Sequence, residues 1–66
     1  MQAQDLTNLQ REGNERFRHK NYFGAIKSYT AVLEKKPDDA VVLSNRAQAY
    51  LNLSQFREAL SDAEAA

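Results

Sequence analysis

The sequence predicts an all-α protein built of two tandem helix-turn-helix units, and three observations carry that expectation. Apolar residues recur at steps of three and four along four stretches, the spacing of one face of a helix. Short polar breaks separate the stretches, and one break holds the chain's single proline, Pro37. The second pair of stretches then repeats the first at an offset of 34 residues.

The first stretch carries Leu6, Leu9, Gly13 and Phe17, and the second carries Tyr22, Ala25, Ile26, Tyr29, Val32 and Leu33. His19, Lys20 and Asn21 lie between them, with Asn21 the candidate cap of the second helix. Pro37 disfavours helical backbone at Lys36, so the second helix should stop there. Asp38 or Asp39 can then accept from the free amides that open the third helix. That helix carries Ala40, Leu43, Ala47, Tyr50 and Leu51. Its opening run, Ala40-Val41-Val42-Leu43, also suits a strand, but its neighbours fit a helix better. Leu53, Ser54 and Gln55 form the last break, with Ser54 the candidate cap, and Phe56, Ala59, Leu60 and Ala63 mark the fourth helix.

At the offset of 34, Leu9 pairs with Leu43, Gly13 with Ala47, Phe17 with Leu51, Tyr22 with Phe56, Ala25 with Ala59 and Ile26 with Leu60. Small residues match small and large match large, which is what two copies of one packing arrangement require. A two-helix unit of that length is the tetratricopeptide spacing, and the chain resembles the tetratricopeptide repeat family. Leu9, Gly13, Phe17, Tyr22, Ala25, Tyr29 and Pro37 carry the likeness in the first unit. Leu43, Ala47, Tyr50, Phe56, Ala59 and Ala66 carry it in the second. Two positions depart from the family pattern: Val32 is larger than the usual alanine, and Arg16 replaces a usual aromatic. The resemblance implies a right-handed superhelical α-solenoid fragment, with repeat one at 6–39 and repeat two at 40–66. Repeat two reaches Ala66 short of a last turn, so a segment of a longer protein is expected. The face of Tyr50, Phe56, Leu60 and Ala63 would then meet a further unit, self-associate or exchange helices with another copy.

Composition narrows the function. A chain of 66 residues, 42% hydrophobic and 27% charged, is one small domain of ordinary make-up. Zero cysteines exclude a disulfide framework, a thiol nucleophile and a thiolate metal site. Nine basic against nine acidic residues give no net charge, and hence no bulk field toward nucleic acid or lipid. No apolar run approaches the ~18 residues of a membrane span. Arg11, Arg16, Arg18, His19 and Lys20 form a basic cluster, but Phe17, Tyr22 and Tyr29 are committed to packing. Nucleic acid is therefore not an expected partner. The acidic residues, Asp62 among them, are expected on helix surfaces and caps, with no catalytic pair. Neither an enzyme nor a cofactor or metal is expected, and the absent cysteines and targeting signals lean to the cytoplasm.

Repeats of this family present a concave surface lined by the first helix of each unit. The stretch Gln10-Arg11-Glu12-Gly13-Asn14 and the triplet Ser44-Asn45-Arg46 resemble the co-chaperone subgroup. There a carboxylate clamp holds the extreme C-terminus, Glu-Glu-Val-Asp, of the seventy- and ninety-kilodalton heat-shock chaperones. The resemblance places Asn14 and Asn45 on the two asparagine positions of that clamp and Gln10 on its first lysine position; the third-unit cations lie outside this chain. A carboxylate needs charged donors to offset its desolvation, and Gln10 donates without charge, so affinity near ~1 mM or weaker is expected. On a helical wheel Arg11 lies ~60° and Arg18 ~40° to one side of Asn14, within reach of the groove edge, and Gln10 lies ~40° to the other. Ser44, Asn45, Gln48 and Asn52 continue the polar strip along the third helix. The expected site is Gln10, Asn14, Asn45, Arg11, Arg18 and Gln48, and the expected ligand an extended acidic C-terminal peptide. A scaffold module that joins protein surfaces without reading a free carboxylate is the alternative.

Overall fold

The computed structural model describes residues 2–66, with side chains described from Leu6 onward. Four helices follow one another: α1 (Gln2–Arg18), α2 (Tyr22–Lys35), α3 (Ala40–Asn52) and α4 (Phe56–Ala65). The run at Ala40 is helical, and no strand occurs among the described residues. Each helix packs on the next, which makes two helix-turn-helix units in series. No described helix is long and apolar enough to cross a membrane.

The caps follow local chemistry. Asn21 Oδ1 accepts from the Gly24 N–H at 3.1 Å and opens α2; Asp39 Oδ1 accepts from the Val42 N–H at 3.3 Å and opens α3. α2 ends at Lys35, just before the residue that Pro37 holds out of the helical region. Ser54 is not the cap of α4. Gln55 stands there, without a side-chain cap bond, because Ser54 is used to close α3. Its N–H donates to Leu51 C=O at 3.0 Å, and the Gln55 N–H donates to Tyr50 C=O at 2.9 Å. The same pair of bonds closes α1, from Lys20 to Phe17 at 2.9 Å and from Asn21 to Arg16 at 2.8 Å. Lys20 and Ser54 have φ of 64° and 61°. Both ends are therefore Schellman turns with a non-glycine residue in the left-handed region, at a cost of about 1 kcal/mol each. The 34-residue repeat is thus written in the backbone as well as the side chains.

The core sits around α2. Ala25, Tyr29, Val32 and Leu33 of α2 pack with Val42 and Leu43 of α3, and Leu6, Leu9 and Phe17 of α1 close over them. Gly13 makes that closure possible. A Cβ on Gly13 would stand 2.6 Å from Tyr29 Cε1 and 2.8 Å from Cδ1, inside any real contact distance. Phe17 and Tyr22 meet edge to face with ring centroids 5.2 Å apart, packing across the turn that joins α1 to α2.

α4 is held differently. Ala59 is its buried apolar residue, while Phe56 and Leu60 stand 63% and 60% exposed. Asp62, expected on the surface, is buried because Arg46 grips it from α3. Arg46 Nε and Nη2 donate to the two carboxylate oxygens at 2.6 and 2.7 Å, and Nη1 reaches Thr30 Oγ1 on α2 at 3.1 Å. The guanidinium also lies 5.8 Å from the Tyr50 ring centroid. Tyr50 therefore belongs to this contact, and Leu51, not Tyr50, lines the apolar groove with Phe56, Leu60 and Ala63. Unit one has a weaker version at the matching positions, where Ser28 Oγ donates to Glu12 Oε1 at 3.3 Å and Arg16 Nη1 donates to Ser28 Oγ at 3.2 Å. Arg16, where the family pattern has an aromatic, so replaces ring packing with hydrogen bonds.

Three stability outcomes follow. Gly13→Ala is expected to cost about 1–3 kcal/mol by overpacking against Tyr29, despite a helix-propensity gain of up to ~1 kcal/mol; thermal melting measures it. Asp62→Ala, which strands Arg46, is expected to cost about 3 kcal/mol in urea denaturation. The double change Arg46→Met with Asp62→Leu should cost less than that single one, since no charge is left unpaired.

Candidate functional site: a groove between the leading helices

A groove of about 350 Å³ runs between α1 and α3, lined by Asn14, Phe17 and Arg18 from α1, Tyr29 from α2, and Asn45 and Gln48 from α3. Four of the six residues expected from sequence meet there. Gln10 lies elsewhere, in a hollow of about 310 Å³ with Leu6, Thr7, Val32, Lys36 and Asp39. Arg11 is exposed and lines neither space. The two asparagines share the groove although the repeat does not pair them: the offset of 34 matches Asn14 with Gln48 and Asn45 with Arg11. They meet because α1 and α3 both pack on α2 and present neighbouring edges to one space.

Phe17 and Tyr29, missed as site residues, give the groove its apolar lining. The signal that could have found Tyr29 is the small residue at Gly13, which marks where α2 comes closest to α1. The Tyr29 hydroxyl donates to Asn14 Oδ1 at 2.6 Å. Burial pushes the Tyr29 phenol above its ordinary range, so it stays protonated and donating at neutral pH. Among the described residues Asn14 bonds through its oxygen, which leaves its two amide hydrogens for a ligand. Asn45 is half-buried beside it, and Gln48 is exposed on the next turn of α3. Arg18 Nη1 holds Glu15 Oε2 at 2.9 Å, with both side chains more than half exposed. Such a surface pair is worth ~1 kcal/mol or less, so an incoming carboxylate can compete for the arginine. Neutral donors and one exchangeable cation over an aromatic base suit a polypeptide segment that carries negative charge.

A second, larger groove of about 540 Å³ opens between α3 and α4, lined by Leu51, Phe56, Leu60 and Ala63 with the small residues Ala47 and Ala59 beneath. It is apolar almost throughout, with Ser44 and Gln48 at its edge.

Comparison with known proteins settles the family. No family model matches the chain. Tetratricopeptide repeat protein 12 of Homo sapiens is 47% identical over 56 residues, covering 85% of this chain and 8% of that protein. The Hsp70-Hsp90 organizing protein of Triticum aestivum is 45% identical over 60 residues, covering 89% of this chain and 10% of that protein. The chain belongs to the tetratricopeptide repeat family. Tetratricopeptide repeat protein 4 of Homo sapiens adds 49% identity over 59 residues, covering 83% of this chain and 15% of that protein. The chain thus spans a small part of the length of each relative. Relatives of this kind support a protein-interaction role for the two tetratricopeptide units.

Proposed function

We propose that this chain is the peptide-gripping part of a co-chaperone-like protein, and that the groove between α1 and α3 takes an extended acidic C-terminal tail, such as that of a heat-shock chaperone. The observation that carries the reading is the meeting of Asn14, Arg18, Asn45 and Gln48 around Phe17 and Tyr29. The amides donate to the terminal carboxylate, Arg18 leaves Glu15 to supply charge, and the aromatic rings receive the tail's apolar residue. The relative named Hsp70-Hsp90 organizing protein supports the choice of ligand. A second reading, a scaffold module that joins protein surfaces without reading a free carboxylate, is favoured by the exposed Phe56 and Leu60.

A titration followed by nuclear magnetic resonance separates the two. A peptide ending Glu-Glu-Val-Asp should bind at low salt with a Kd of about 1 mM, and its amidated form about fivefold more weakly. Equal affinity for both forms would refute the carboxylate reading and leave the scaffold. Arg18→Gln should weaken the free-acid peptide by about 1 kcal/mol, an effect lost at high salt. Gln10→Lys, one helical turn from Asn14, should tighten it by a similar amount; no change would mean that the tail does not extend to that turn.

A further inference from the structure

Resting on the carboxylate reading above, we propose that Tyr29 is a positioning residue that holds the Asn14 carboxamide with its two amide hydrogens toward the groove. A carboxamide is nearly symmetrical in shape, and a half-turn exchanges its donor for its acceptor. With the oxygen turned to the groove, Asn14 would repel the carboxylate it is meant to hold. The 2.6 Å bond from the Tyr29 hydroxyl decides the orientation, because it engages Oδ1. The reverse arrangement would leave the hydroxyl hydrogen of a residue only 1% exposed without that acceptor. The phenol's raised pKa keeps the donor in place at neutral pH.

The rest of the fold delivers the hydroxyl to that spot. Tyr29 reaches Asn14 across the interface because Gly13, its sequence neighbour, has no side chain to fend off the ring. Unit two lacks the device. The residue matching Asn14 is Gln48, and the residue matching Tyr29 is Ala63, which has no hydroxyl to orient an amide. Four aligned helices therefore do not require the pair. Among the described residues it occurs once, where the groove is lined from both leading helices.

The test measures a ratio of affinities, free-acid peptide over amidated peptide, by the same titration. Tyr29→Phe keeps the ring against Gly13 and removes the hydroxyl. The ratio should fall from about fivefold to about twofold or less, with helical circular dichroism retained. Asn14→Ala should lower it likewise, and adding Tyr29→Phe to Asn14→Ala should change it no further. A merely structural role would weaken both peptides together and leave the ratio alone. Should Tyr29→Phe fail to fold, the wild-type chain still decides: the Asn14 Nδ2 resonances should shift with the free-acid peptide and much less with the amidated one. A preference in the wild type that Tyr29→Phe retains, or that leaves the Asn14 resonances unmoved, overturns the role of Tyr29 alone. Equal affinity in the wild type overturns the carboxylate reading and this inference with it.

Discussion

The contact between the Tyr29 ring and the bare backbone at Gly13 sets the spacing on which everything else depends. A side chain at Gly13 would meet ring atoms at 2.6 and 2.8 Å, so α1 could not approach α2 as it does. At that separation Leu6, Leu9 and Phe17 close over Ala25, Val32 and Leu33. The ring is then buried, its hydroxyl lies at the α1 surface, and the groove toward α3 acquires its aromatic lining. One ring thus sets both the closure of the core and the lining of the groove.

The two units show how one backbone plan supports different chemistry. Their turns use the same hydrogen bonds at the same offset, and Ala25 and Ala59 are buried in both. Between those points the links differ. Unit one joins its helices through a ring and a set of neutral and singly charged hydrogen bonds around Ser28. Unit two joins them through a two-pronged ion pair between Arg46 and Asp62, because α4 contributes little apolar burial of its own. The strong orientation of a guanidinium toward a carboxylate offsets the missing hydrophobic contact. It also ties α4 to α2 through Thr30, so the second unit is registered on the first by a polar contact and not by side-chain shape alone.

Much of this was visible in the sequence. Helical periodicity placed all four helices, Pro37 ended α2 as the geometry of proline requires, and Asn21 and Asp39 capped where their short acceptors could reach the free amides. Small residues at Gly13 and Ala47 marked the close approaches. What escaped were properties that depend on two elements at once. Ser54 has the chemistry of a cap, yet the left-handed turn closing α3 consumed it. Asp62 carries a charge and so reads as surface, and only the arrival of Arg46 from another helix makes its burial tolerable. The family resemblance grouped Asn14 with Asn45, but no repeat offset shows their meeting. It arises from the placement of two helices on a third, as does the hydroxyl of Tyr29 beside Asn14.

The matching faces of α1 and α3 differ in a way that gives the molecule a direction. Val42 and Ala49, which α3 sinks fully into the protein, have Asn8 and Glu15 as counterparts on α1, and both of these are exposed. Covering either one would cost the dehydration of an amide or a carboxylate, so this flank of α1 holds its water where the matching flank of α3 has given it up.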